Sequence, residues 1–474
     1  MFSKMNIRTP CSYAEIIFLA SLVCVLIIPS YKVWFICVSI LLVLNGYIFS
    51  RYFKIEPFLL IFTYLALSPF RRFISLHQPI YFPTALPLEI IIVLLVISSL
   101  DKFRKQLLVD PVILIFILFF AWGFIEVFNP LGSIEIGLLG FRNRTLAAIL
   151  FLVCYLNVKT KTDIDRIISI MQIVLLVVAA YGIFHFFFPT NAELQVYQAN
   201  INQSNFYMSA DSQIRRAFST MTSPGAFGVA MFMLLSINIY KYASKQHRNN
   251  IIVIVVFGVN LIALLLSGSR SSMVAALTFA YIYYIMQFNN MKRIKFTASA
   301  FLIILLFFLL IAKFGPSDVS ARLFGVFNPL AQESSFVSRL GLWDLLYNSI
   351  TTMPLGYGNG ATGIEIGLEL NTVKLPDIVT ILTDNEYVTL LYEQGWIGCM
   401  LYLLFILTIV HKTLHAFRKS DGNSKMLYCY IVAMSIVYLL LGVPIQLSQI
   451  FPINVFMWIL WGASYKLARG ANYA

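Results

Sequence analysis

The stretch Ile251-Ile-Val-Ile-Val-Val-Phe-Gly-Val-Asn-Leu-Ile-Ala-Leu-Leu-Leu-Ser267, then Gly268-Ser269-Arg270-Ser271-Ser272, then Met273-Val-Ala-Ala-Leu-Thr-Phe-Ala-Tyr-Ile-Tyr-Tyr-Ile-Met-Gln-Phe288 decides the fold. Two apolar runs, each about as long as a bilayer core requires, are joined by a short polar hairpin. The pattern does not alternate as a barrel strand would. It reads as two membrane helices and a turn, because a helix satisfies its own backbone polar groups in lipid. The hairpin is too short to leave the membrane surface. Arg270 must therefore point into an interior site or up to headgroups, and we favour the interior site.

The same reading extends along the 474 residues, of which 59% are hydrophobic and 12% charged, with a mean hydropathy of +0.82. Soluble domains carry roughly twice that charge. Apolar runs recur near 14–29, 33–49, 57–70, 86–100, 111–128, 145–158, 167–188, 222–240, 251–267, 273–288, 296–314, 387–410, 427–444 and 452–467. The expected fold is an all-α polytopic membrane protein with about 12–14 transmembrane helices, since the runs at 57–70 and 145–158 are marginal in length. Three parts follow: 1–314, transmembrane with short outer loops and the longer 189–221; a long outer loop at 315–385; and C-terminal helices over 386–474. No cleavable signal peptide is expected, because the first run lacks a small-residue cleavage site.

Charge orients the chain. One alternate set of loops holds 22 of the 34 basic residues, which makes that set and both termini cytoplasmic. This explains the net charge of +13 without nucleic acid. In the inner set Lys outnumbers Arg 14 to 8, whereas the outer set holds three Lys against nine Arg. Those nine are Arg71, Arg72, Arg142, Arg144, Arg215, Arg216, Arg270, Arg322 and Arg339. A guanidinium presents a rigid donor fork that matches phosphate in two-point fashion, and an ammonium does not. The outer face therefore looks built for an anion, with phosphate or pyrophosphate the best fit. The competing explanation is snorkelling to lipid headgroups or pairing with outer carboxylates.

The outer loops place these arginines. Arg215-Arg216 precede Ser223-Pro224, a helix start signal, so they sit ahead of a helix N-terminus, whose dipole also favours an anion. Phe141-Arg142-Asn143-Arg144 reads as a loop ahead of the 145–158 run. The amide-rich 189–221 loop suits sugar hydroxyls or simple solvation. Within 315–385, Ser338–Met353 reads as an amphipathic helix closed by the Pro354–Gly360 turn. The exit, Thr383-Asp384-Asn385-Glu386, is a capping box or a carboxylate site in which Asp384 or Glu386 is a general base. Glu393 lies deep enough in the next span to need the bundle interior and an arginine partner. The six cysteines lie in or beside spans, and the five histidines form no cluster, so no metal site is expected.

Arg215-Arg216-Ala-Phe-Ser with Pro224-Gly225, Ser269-Arg270, Ser338-Arg339-Leu-Gly-Leu-Trp343, Pro354-Leu-Gly-Tyr-Gly358-Asn-Gly360 and Asn385-Glu-Tyr387 with Glu393-Gln-Gly395-Trp-Ile-Gly398 occur in this order. The ordered set, over roughly residues 110–470, resembles the O-antigen ligase and O-antigen polymerase superfamily of bacterial envelope glycosyltransferases. The resemblance implies a GT-C-like fold in the bacterial cytoplasmic (inner) membrane, with the site facing the periplasm or cell exterior. It implies a glycan donor on undecaprenyl pyrophosphate, transfer without metal, nucleotide or other cofactor, and arginines holding the pyrophosphate. Arg215 or Arg216, Arg270 and Arg339 match the family's arginines. It also implies contact with membrane lipid and work beside a chain-length regulator and a flippase. The ligase branch carries a catalytic His where this chain has Asp384, which favours a polymerase of O-antigen or capsule-type repeat units over a ligase acting on lipid A core or protein. A transporter would call for internal repeats and charges spread through the midplane; the charges here cluster at one surface.

Overall fold

The computed structural model describes residues 110–132, 134–199, 206–207, 215–244, 250–287, 351–362, 385–450 and 452–470, with single positions at 61, 64, 65, 343, 344 and 348. Ten α-helices are described: α1 Pro111–Ile125, α2 Ile134–Asn157, α3 Lys161–Phe187, α4 Asn191–Ala199, α5 Pro224–Ala243, α6 Asn250–Ser267, α7 Arg270–Ile285, α8 Glu386–Lys419, α9 Gly422–Leu441 and α10 Ile453–Gly470. Among the described residues there is no strand. Six helices are long and apolar enough to cross a membrane, and α6 is a shorter apolar one. The expected all-α, multi-pass architecture is what the chain forms. The runs at 14–29, 33–49, 86–100 and 296–314 lie outside the described residues, as does nearly all of 57–70.

Helix α5 is the hub. Ser223 caps it by accepting from the Ala226 N–H, Pro224 occupies the first turn, and nearly every later side chain is buried. It packs against α3, α6 and α7, while α2 lies along α10 and α8 lies between α1 and α9. Both ends of the bundle can be traced. At one, Asp110 caps α1 and accepts from Tyr465 Oη at 2.6 Å and from Arg469 Nη1 at 2.8 Å, and Arg469 also reaches Tyr155 Oη at 2.6 Å. This gathers the start of α1 with the ends of α2 and α10. Cys429 Sγ donates to Tyr283 O, so the start of α9 meets the end of α7. The Glu386 N–H donates to Gly442 O at 2.8 Å, so the end of α9 meets the start of α8. Arg270, at the start of α7, therefore shares the end of the bundle that holds Glu386.

Two expected boundaries change. The run expected at 145–158 is the 24-residue helix α2, which starts at Ile134. Phe141-Arg142-Asn143-Arg144 is thus helix and not loop, and it survives at that depth because Arg144 has a buried counter-charge. The 189–221 loop contains the helix α4. The Pro354–Gly360 turn forms where expected, with Gly356, Gly358 and Gly360 all at positive φ.

Candidate functional site

The arginine pair and the hairpin meet. Arg216 is buried; its Nε donates to Ser267 O at 2.8 Å, and the next residue's amide, Ala217 N, donates to Leu266 O at 2.9 Å. The segment 215–217 is thereby tied to the end of α6, three residues before Arg270 opens α7. Arg215 lies over the ring of Tyr197, 5.4 Å from its centroid, and is half-buried, as is Arg270. Arg216 therefore reaches the hairpin that Arg270 closes, beside the N-terminus of α7, while its neighbour Arg215 lies on Tyr197. That arrangement concentrates cationic groups and helix dipole positivity where an anion is best held.

Under this layer α4 is anchored by Glu193. Its carboxylate accepts from Thr190 N at 2.6 Å, Thr190 Oγ1 at 2.8 Å and Tyr181 Oη at 2.6 Å, with His185 Nε2 at 3.9 Å. Burial alone would raise the Glu193 pKa; the hydrogen bonds from Tyr181 and Thr190, together with His185, outweigh it and hold the carboxyl below its ordinary range.

A second assembly surrounds α8, which is broken. Gly395 stands at φ 63°, ψ −166°, a conformation essentially reserved for glycine. The break releases backbone groups that the 354–362 turn satisfies. Tyr357 N donates to Tyr392 O at 2.8 Å, Gly358 N to Glu393 O at 3.1 Å, and Trp396 N to Pro354 O at 3.0 Å. Trp122 Nε1 takes the Gln394 carbonyl at 2.8 Å. Asn359 links three elements: its Nδ2 donates to Gly123 O on α1, and its Oδ1 accepts from Gln394 Nε2 at 2.8 Å. The rings of Tyr357 and Tyr392 stack at 4.5 Å.

The expected partner for Glu393 is Arg144. Nη2 lies 2.7 Å from Glu393 Oε2, and both side chains are under a tenth exposed. Glu393 Oε1 accepts from Thr362 Oγ1 at 2.7 Å and Thr362 N at 3.3 Å. Arg144 Nη1 is buried without a hydrogen-bond partner. Seven residues before Glu393, Glu386 feels the same guanidinium. Its Oε2 accepts from Ser448 N and Ser448 Oγ, each at 2.9 Å, and Oε1 is buried and unpartnered. Thr383, the first residue of the expected Thr383-x-x-Glu386 capping box, lies outside the described residues. Asn385 is the N-cap, its Oδ1 accepting from Tyr387 N and Val388 N, which puts Glu386 first in the helix rather than third. Its carboxylate ties the helix start to the 446–449 turn instead.

The expected site residues thus separate. Arg216 reaches the hairpin that Arg270 closes and Arg215 lies on Tyr197; Arg144 is engaged by Glu393; Arg142 is half-buried on α2. Arg339 and Asp384 lie outside the described residues. Thr362, Asn359, Gln394 and Ser448 escaped the sequence reading, because nothing in their spacing shows that they meet charged residues far along the chain. Among the described residues no group of three His, Cys, Asp or Glu is placed to hold a metal.

Residues 253–403 match the family model described as O-antigen ligase. That stretch is similar to the O-antigen ligase family. It runs from α6 through the hairpin at Arg270, the long loop and the break at Gly395. It is consistent with the O-antigen ligase and polymerase superfamily, whose members are glycosyltransferase-like enzymes acting on lipid-linked glycan in the membrane. No curated protein matches the chain.

Proposed function

We propose that this protein polymerises undecaprenyl-pyrophosphate-linked oligosaccharide repeat units on the outer face of the bacterial cytoplasmic membrane. The observation that supports the donor site is the tie of the 215–217 segment, through Arg216 Nε and Ala217 N, to the end of α6 at the hairpin that Arg270 closes. Arg339 and Arg142 belong to the same expected layer. In the reaction the acceptor hydroxyl oxygen bonds to the anomeric carbon, and the bond from that carbon to the pyrophosphate oxygen breaks. The hydroxyl proton passes to a carboxylate, and undecaprenyl pyrophosphate leaves. Guanidinium groups fixed before reaction stabilise the charge that collects on the leaving group. We assign the base to Asp384, one residue ahead of the Asn385 cap. Glu386, enclosed against Ser448, serves as a positioning group for that helix start. The ligase reading persists as the alternative because of the matched family's description; Asp384, where the ligase branch has His, favours polymerisation.

The decisive assay supplies the purified chain in nanodiscs with lipid-linked repeat units. A ladder of products supports polymerisation, a single transfer to an added acceptor supports ligation, and no transfer refutes both. Lys at 216, 270 and 339 in turn keeps the charge and removes the fork. At least two of the three should lose most of the polymer while inserting normally. Wild-type polymer from all three would remove the anion site.

A further inference from the structure

We propose that Tyr197 is a positioning residue that presets both arginines of the pair, a role that rests on reading Arg215 and Arg216 as pyrophosphate-holding groups. One buried phenol contacts each arginine through a different atom set. Its hydroxyl donates to the Arg216 carbonyl oxygen at 2.7 Å, which fixes the backbone from which Arg216 projects. Its ring face lies beneath the Arg215 guanidinium, 5.4 Å from centroid to Cζ, a cation–π distance.

The ring itself cannot shift. It stacks on His185 at 5.8 Å and 11°, packs on Phe218 at 5.3 Å, and meets Phe206 edge-on at 6.2 Å. Its carbonyl accepts from Tyr207 Oη at 3.1 Å, and Arg216 N donates to Phe206 O at 2.9 Å. The helix α4 that carries Tyr197 is pinned in turn by Glu193 to Thr190 and Tyr181. Arginine side chains lose much rotamer freedom when they close on an anion, and that cost falls on binding unless it is met in the fold. A rigid aromatic platform meets it beforehand, for two neighbouring arginines at once.

The two contacts separate by substitution. Tyr197→Phe keeps the platform and removes the hydrogen bond; Tyr197→Leu removes both. The probe is undecaprenyl pyrophosphate binding to the purified chain in detergent, with undecaprenyl monophosphate as reference. Loss of one net hydrogen bond corresponds to about three- to tenfold weaker pyrophosphate binding in Tyr197→Phe, and Tyr197→Leu should lose more than tenfold. Monophosphate binding should change less in both, so the preference for pyrophosphate falls. Equal weakening of both ligands, or wild-type binding by Tyr197→Phe, overturns the proposal. If Tyr197→Leu fails to fold, Tyr197→Phe decides. The double variant Arg215→Ala/Arg216→Ala separates the two levels. If it binds pyrophosphate as well as wild type, the donor-site reading fails and this inference with it. If it loses binding while Tyr197→Phe does not, the inference alone fails.

Discussion

Substituting Gly395→Ala tests the break in α8 and the loop docked in it. The backbone there, at φ 63° and ψ −166°, strains any side chain by about 1–3 kcal/mol. An ideal Cβ would lie 2.5 Å from the Leu355 carbonyl oxygen, and closer still to the Leu355 carbonyl carbon and to Pro354 O. Those are backbone atoms, so no side-chain rotation relieves the overlap. The turn must withdraw, and with it go Tyr357 N→Tyr392 O, Gly358 N→Glu393 O and Trp396 N→Pro354 O. At about 0.5–1.5 kcal/mol net each, those three contribute roughly 1.5–4.5 kcal/mol. Withdrawal of the turn costs less than unfolding the bundle, so the expected product is a folded protein with a released 354–362 segment. Hydrogen exchange at the Tyr357 and Gly358 amides reads this directly: both should lose protection, with transfer activity falling in parallel. Gly258→Ala is the control, because nothing lies within 4 Å of its Cβ and a helix interior gains up to about 1 kcal/mol from the change. Wild-type protection and activity in Gly395→Ala would mean that α8 is not broken there.

The buried pair Arg144–Glu393 predicts a sharp asymmetry. Glu393→Gln should lower stability by about 3–5 kcal/mol, read by thermal unfolding in detergent, because it leaves a buried guanidinium uncompensated, whereas Arg144→Met with Glu393→Leu should recover much of that loss. A double variant no better than the single one would contradict the reading. At the Glu193 anchor the sign follows from its lowered pKa: its contribution is present above the ordinary glutamate value of 4.5 and is lost as pH falls below it through the folded-state value. His185 and Tyr181 on α3, and Thr190, are the groups facing it. Protection factors in α4, taken against the intrinsic exchange rate at each pH, should therefore fall in acid, and Glu193→Gln should flatten that dependence; an unchanged acid profile in Glu193→Gln would refute it.

Where apolar runs are bounded by breakers, the sequence could be read. Ser223-Pro224 opens α5 as expected, and Ser267-Gly268-Ser269 separates α6 from α7. The α2 region failed for a physical reason. Hydropathy counts Arg142 and Arg144 as charges that end a span, but the cost of Arg144 is offset by Glu393, which lies on a different helix. The break at Gly395 was invisible because Glu393-Gln-Gly395 suits an ordinary helix, and only the arrival of residues 354–358 makes a broken one stable. At the start of α8, Asn385 is the cap and Glu386 is held by Ser448, a residue far along the chain that no local spacing announces. Of the candidate site, the sequence offered the arginines as residue types; that Arg144 is taken by Glu393 while Arg216 reaches the Ser267 carbonyl required the packing.

That difference bears on mechanism. Counting charge alone groups nine outer arginines as one anion surface, yet Arg144 cannot be spent twice. A guanidinium held 2.7 Å from a buried carboxylate presents little net charge to a pyrophosphate. What the pair holds is the turn, since the other oxygen of Glu393 takes Thr362, the last described residue before the remainder of the long loop. The end of the described turn and the neutralisation of Arg144 thus meet on one carboxylate. Anything that drew Arg144 toward an anion would weaken the grip on Glu393, and with it the anchor from which the loop departs. Arg144 is therefore best placed in the scaffold that holds the 354–362 turn against α8. On the proposed reading the donor's charge falls instead to Arg215, Arg216 and Arg270, at the segment where Arg216 Nε meets the Ser267 carbonyl and Ala217 N the Leu266 carbonyl.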